Sequence, residues 1–252
     1  DEIGIWLTLT DREGVTRIGH SEFHNLAEPP APPIVVLSAT EAWEGGLVRR
    51  PDLLARGDEL VMIYEAGPAD APVLGLARST DGGHAFTRHP QPIATAASHA
   101  SVVEWQGAIW IFAERTDQPG IWRGQLDEAR LAVSWDAAPV ISARPFVPDA
   151  FDGGWVGEPC ARRVDSSTGS ERLMVWFAGK TIDPERADPS VGVAVSEDGR
   201  EFLRSPEDAA MLSAPARAPA VVVRDTASMM LFTDVYRGVD AIGVASHGDD
   251  WF

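Results

Sequence analysis

The sequence predicts an all-β fold, a five-bladed β-propeller with an incomplete first blade, on three observations. The first is a three-part phrase that occurs twice. Trp43–Leu54 (WEGGLVRRPDLL), Leu60–Gly67 (LVMIYEAG) and Val73–Phe86 (VLGLARSTDGGHAF) return as Phe151–Arg163 (FDGGWVGEPCARR), Leu173–Gly179 (LMVWFAG) and Ser190–Phe202 (SVGVAVSEDGREF). The second is a recurring strand that opens on an apolar residue and Gly and stops near Ser: Ile18–Ser21, Leu74–Ser79, Val191–Ser196 and Ile242–Ser246, with a weaker copy at Ile121–Leu126. Its glycines lie roughly 50 to 70 residues apart, a propeller spacing rather than that of a helical solenoid. The third is the lack of any sustained helical period, the apolar segments being short, β-branched and aromatic, and bounded by Gly, Pro, Asp and Ser.

A four-stranded blade cannot bury both of its faces alone, and radial stacking buries them. The whole chain, residues 1–252, reads as one such domain, with blades at about 1–40, 43–95, 98–141, 151–213 and 216–252. In the first, Ile3–Leu9 and Val15–Ser21 pair across the turn Asp11–Gly14, a stiff connector runs from Pro29 to Pro33, and Ile34–Leu37 is the outer strand; no innermost strand precedes Ile3. In the second, the strands are Asp52–Ala55, Leu60–Tyr64 and Val73–Arg78, with an outer strand near Phe86–Arg88. The third begins at Ser98 (SHASVVEWQGAIWIFAER). The fourth carries the longest insertion, TIDPERADPS. The fifth begins at Ala216 (ARAPAVVVRD) and reaches Trp251-Phe252 after its third strand, so a fourth strand is missing or comes from elsewhere in the chain.

Composition narrows the function. A net charge of -17 argues against nucleic acid or an anionic membrane as partner and fits a neutral or cationic ligand or a well-solvated surface. There is no apolar run long enough to span a membrane as a helix. The single cysteine, Cys160, forbids an internal disulfide and leaves the compartment open, a secreted or cell-envelope protein of a bacterium being favoured over a cytoplasmic one. The oligomeric state is not readable.

Aligning the blades on their innermost strands makes Pro51, Ala100, Pro159 and Pro219 equivalent. The residues before them are Arg50, His99, Glu158 and Ala218, and those after them Asp52, Ser101, Cys160 and Ala220. Equivalent positions in radial blades form a ring, so Arg50, Asp52, His99 and Glu158 are expected at one mouth of a central channel with Arg217 close by. Strand alternation puts Arg50 and Asp52 on one face. Two carboxylates beside Arg and His suit acid/base work, because a cation keeps one ionised while burial holds a proton on the other. Trp43 and Trp155 flank these strands and offer faces to a sugar ring, whereas most of the nine tryptophans belong between blades. Cys160 has no histidine partner motif and reads as a small buried residue. No zinc-type spacing occurs.

The blade grammar, with MVWFAG at Met174–Gly179 and VGVAVSEDG at Val191–Gly199 as its nearest fragments, resembles the five-bladed propeller glycoside hydrolases, notably families 43, 32, 62, 68 and 130. The resemblance covers nearly the whole chain as a fold pattern. It implies hydrolysis of O-glycosyl bonds in an oligo- or polysaccharide, without a required cofactor; a structural calcium or sodium ion in the channel is implied by the resemblance alone. Gly157-Glu158-Pro159 looks like the motif that bears the general acid. Arg50-Pro51-Asp52 looks like the second-blade aspartate motif, and the first-blade aspartate of these families has no counterpart. The alternative is a propeller that binds or scaffolds glycan without cutting it. Ser79–Phe86 fits the Asp-box of sialidases, with Ser196–Gly199 a shorter version, and Arg49, Arg50 and Arg217 resemble a remnant of their arginine triad, giving a sialidase-like enzyme as a further alternative. Asp81 and Asp198 in these boxes read as turn residues that bond their own backbone.

Overall fold

The computed structural model describes residues 3–23, 30–165, 171–186, 188–204, 210–212, 215–223, 227–236 and 239–248. Helix is confined there to two 3-10 turns, Ala42–Glu44 and Pro184–Arg186. Among these residues no helix is long and apolar enough to cross a membrane. The expectations that fell on Pro29 and on Trp251-Phe252 lie outside the described residues.

Five antiparallel sheets follow one another along the chain. The first holds β1 (Ile3–Thr10), β2 (Thr16–Phe23) and β3 (Ile34–Leu37) in that order. The second runs β4 (Val48–Arg56), β5 (Glu59–Ala66), β6 (Val73–Ser79) and β7 (Thr87–Arg88), with β8 (Ala94–Thr95) also paired to β6. The third holds β9 (Ala97–Trp105), β10 (Ala108–Arg115), β11 (Ile121–Asp127) and β12 (Ala132–Trp135). The fourth holds β13 (Trp155–Asp165), β14 (Glu171–Lys180), β15 (Ser190–Ser196) and β16 (Leu203–Arg204). The fifth holds β17 (Ala216–Val223), β18 (Ala227–Tyr236) and β19 (Val239–Gly248), three strands among the described residues. The fold is the five-bladed β-propeller that the repeats predict.

The chain divides into two compact units, Asp1–Val102 with Asp127–Val133, and Val103–Leu126 with Ser134–Phe252. In the first, the apolar faces of the first two sheets close on each other through Ile18, Leu37, Val48, Met62, Tyr64 and Ala77, with Trp6 and Trp43 packed on this core. In the second, one core joins the third and fourth sheets through Phe112, Val156, Val175 and Phe177. Another joins the fourth and fifth through Cys160, Met174, Trp176, Val221 and Met230. These contacts bury the apolar side chains of the second strands, where the sequence is most continuously hydrophobic.

The recurring glycine of the third strand has a steric cause. Gly75 lies opposite Tyr64, and a Cβ there would stand 2.3 Å from the tyrosine Cζ. Gly192 meets Phe151 in the same way, at 2.1 Å from its Cζ. An aromatic ring stands against each glycine and leaves room only for hydrogen.

Both Asp-box turns are built as the sequence predicts. Ser79 Oγ donates to Asp81 at 2.6 Å, and Asp81 accepts the backbone N–H groups of His84 and Ala85 at 3.1 Å each. Ser196 Oγ donates to Asp198 at 3.0 Å, which accepts N–H groups from Arg200 at 2.8 Å and Glu201 at 2.9 Å. These donors hold both carboxyls below their ordinary range, Ser79 foremost at Asp81 and the Glu201 N–H foremost at Asp198. Each turn is clamped through a glycine carbonyl by the preceding sheet: Trp6 Nε1 donates to Gly83 at 3.2 Å, and Arg123 donates to Gly199.

Candidate functional site

Four inner strands share one irregularity. Arg50, His99, Glu158 and Ala218 have φ of 50°, 48°, 51° and 49°, in the left-handed region that residues with a Cβ seldom adopt. Three of them precede proline, which disfavours helical backbone in the preceding residue and so adds to the local cost. Strand pairing breaks at the same places, between Arg49 and Asp52, between Gly157 and Cys160, and between Arg217 and Ala220. Each break is a β-bulge, which re-aims side chains and recurs next to active sites. It also corrects one expectation: the alternation that would put Arg50 and Asp52 on one face is interrupted between them.

A bulge leaves its N–H outside the strand ladder, and each of these N–H groups has found an acceptor in the preceding sheet. In the first unit, Arg50 N–H donates to Thr8 Oγ1 at 2.8 Å, and His99 N–H to Glu65 Oε2 at 3.1 Å. In the second unit, Glu158 N–H donates to Glu114 Oε1 at 2.9 Å, and Ala218 N–H to Glu158 Oε2 at 2.8 Å. A second rung lies three residues further along. Asp52 Oδ2 accepts from Val102 N–H at 2.8 Å and from Ser101 Oγ at 2.6 Å, while Cys160 Sγ accepts from Val221 N–H at 3.3 Å. Charged acceptors make such bonds stronger than neutral ones do, and their free energy offsets the strained backbone.

In the first unit the centre of charge is Glu65, only 2% exposed. Arg49 Nε donates to its Oε1 at 2.8 Å, and Arg50 Nη1 donates to the same oxygen at 2.8 Å. Burial pushes the Glu65 carboxyl up, but Arg50, the His99 N–H, His99 itself and Arg49 together outweigh it and hold it below the usual range. Arg50 and His99 therefore do come together, through a residue the sequence reading missed. Asp52 is engaged by the next inner strand rather than by Arg50. Trp43 donates from Nε1 to the Pro90 carbonyl at 3.0 Å and lies 6.2 Å from the Tyr64 ring, packed on the core.

In the second unit Glu158 is half-buried on β13, held at its N–H by Glu114 and at its carboxylate by Ala218. Trp155 lies across the backbone of Gly157: a Cβ there would be 2.3 Å from Trp155 Cζ2 and 2.5 Å from Glu114 Cδ. Lys180 Nζ sits 5.6 Å from the Trp155 ring. Arg217 is exposed on β17, beside Ala218. Among the described residues, no three His, Cys, Asp or Glu side chains converge as ligands for a metal ion.

Two further buried carboxylates come from the repeated phrase. Glu44, of WEGG, accepts from Thr40 N–H at 2.7 Å, Tyr64 Oη at 2.8 Å and Arg88 Nη1 at 2.6 Å. Burial, then this bond to Glu44, pushes the Tyr64 hydroxyl far up. Asp152, of FDGG, pairs with Arg144 at 3.0 Å and Arg204 at 2.5 Å. The shared signal was an acidic residue before two glycines, matched by an arginine on the outer strand (Arg88 on β7, Arg204 on β16). Both are interior braces. Glu65 and Glu114 had a fainter signal, an acidic residue closing an apolar second strand.

No protein-family profile matches the chain, and no curated protein is similar to it. Solved structures do match. A glycosyl hydrolase from Bacteroides ovatus superposes with a TM-score of 0.75 at 14% identity, over 98% of this chain and 80% of that one. The Bacillus subtilis arabinanase gives 0.71 at 13% identity, over 99% and 91%. An exo-1,5-α-L-arabinanase from a bovine ruminal metagenomic library gives 0.71 at 11%, over 96% and 88%. At these identities the likeness establishes the fold.

Proposed function

We propose that this chain is a glycoside hydrolase that cleaves an O-glycosyl bond in an oligo- or polysaccharide, with Glu158 as the general acid. The observation that carries the reading is a carboxylate on a strained inner-strand bulge, in a fold otherwise matched by arabinanases over almost its whole length. Backbone strain in non-glycine residues concentrates where a side chain must be aimed. Bonds to the Glu158 N–H and to its Oε2 fix where that carboxyl points. Its protonated form would donate to the glycosidic oxygen as the bond to the anomeric carbon breaks. A second carboxylate would activate water, and its distance from Glu158 sets the outcome: about 5 Å gives retention and roughly 6.5 to 9.5 Å inversion. Asp52, with Oδ2 accepting from two donors, fits a positioning carboxylate better than a base. Trp155, half-buried at the start of this same strand, offers a face for a sugar ring. The named activities of two of the structural relatives make arabinose-containing glycans the first substrates to try.

A second reading, glycan binding without cleavage, is favoured by one specific feature. Asp52, Glu65, Glu114 and Glu158 each accept a backbone N–H from a neighbouring inner strand. The same bonds would hold a rigid binding surface within each unit. The deciding experiment is a hydrolysis screen of the purified chain on aryl arabinofuranosides, xylosides, fructosides, mannosides and sialosides, with a binding assay alongside. Turnover that Glu158→Gln lowers by about 10²- to 10⁴-fold is the expected result. Full turnover in that variant removes Glu158 from the role, and binding without turnover establishes the second reading.

A further inference from the structure

We infer that Arg50, oriented together with Arg49 by the buried carboxylate of Glu65, binds the carboxylate of an acidic sugar in the glycan this chain takes. The inference rests on the proposed reading of the chain as a glycan-acting protein and narrows its substrate class.

Arg49 and Arg50 converge on one oxygen, Glu65 Oε1, at 2.7 Å from Arg49 Nη2 and 2.8 Å from Arg50 Nη1. The other oxygen takes the His99 N–H. Glu65 is thus satisfied on both sides, and two permanent cations face one anion, an excess of one positive charge. The charges are also sorted by depth: the Glu65 side chain is 2% exposed, whereas that of Arg50 is 44% exposed. The negative partner is inside and the guanidinium is presented outward. A pair needed only for stability would be complete with Arg49. The second arginine is added in a left-handed conformation, on a bulge that a smaller residue such as Ala218 serves equally in β17. A guanidinium already steered by a carboxylate keeps a planar edge whose geometry matches a second carboxylate. The excess cation also runs against the chain's net charge of -17. An anionic glycan gains nothing from the protein's overall field, so its binding requires a local site of this kind.

Arg50→Gln removes the outward cation while leaving Glu65 its bonds to Arg49 and His99. The bond from the backbone N–H of residue 50 to Thr8 also remains, so the variant keeps its fold, which circular dichroism and the melting temperature check. Calorimetric titrations of the full chain would use uronic-acid oligosaccharides, neutral oligosaccharides of equal length, and sialyl-lactose as the other source of a sugar carboxylate. Acidic oligosaccharides should bind more tightly than neutral ones. Arg50→Gln should cost roughly ten- to a hundredfold in their affinity. Arg50→Lys, which keeps charge without the fork, should fall between. Sialyl-lactose bound in preference to uronates, and lost in Arg50→Gln, would keep the carboxylate site and identify the other source. Neutral glycans bound or cleaved while acidic ones are not would overturn the inference and leave the hydrolase reading standing. Acidic binding indifferent to Arg50→Gln would overturn it as well. Absence of binding or turnover with every glycan would bring down both.

Discussion

Glu65 shows how one side chain couples stability to the proposed site. Burial alone would push its carboxyl up, yet the arginines and the His99 N–H hold it below the ordinary value of 4.5. A group whose folded value is depressed stabilises the fold fully above its unfolded value, and that contribution drains away as pH falls through the folded one. The chain should therefore lose melting temperature below about pH 4.5, partly through Glu65. Glu65→Gln should be destabilised by about 3 kcal/mol at pH 7, because two arginines lose their counter-charge, and should show a shallower acid limb. Matching acid limbs in the two proteins would show that Glu65 is no part of the effect. Arg50 and His99 were legible as a pair because each precedes an aligned Pro or Ala. Glu65 was not, since only the register of β4 on β5 brings it opposite Arg49.

At the scale of the strand, local chemistry was read well and the bulges were not. The Asp-box turns close through bonds within five residues, so their sequence already contains their geometry. The recurring glycine was equally visible as a repeat, but its reason, a ring standing against it, needed the neighbouring chain. Gly192→Ala places a Cβ against the Phe151 ring, an overpacking expected to cost about 2 to 3 kcal/mol. Combining it with Phe151→Leu should recover part of that loss, since residues in contact are not additive. Denaturant unfolding of the two single variants and the double variant measures this; strict additivity would mean that the ring is not what excludes a side chain. The bulges escaped the sequence because alternation is the default expectation for a strand. Left-handed Arg50 and Glu158 are tolerated through acceptors, Thr8 and Glu114, that lie 42 and 44 residues away in sequence.

For the molecule as a whole, charge is the dominant feature the sequence exposes. With 38 acidic and 21 basic residues, self-repulsion should outweigh the solvent-exposed ion pairs, each worth little. Raising sodium chloride from about 0.01 to 0.5 M should then raise the melting temperature, because screening weakens the repulsion more than the pairs. A fall in melting temperature would mean that the ion pairs dominate instead. The sequence by itself determined the class and the number of sheets, because short apolar segments recurring between turn residues can bury both faces only by stacking as blades. Only the tertiary structure decided which carboxylates meet which cations. Glu65 with Arg50, Glu114 with the Glu158 backbone, and Asp52 with Ser101 are contacts across strands and sheets. They are set by register, by bulges and by the need of each buried N–H for an acceptor, none of which is written in the spacing of residues along one strand.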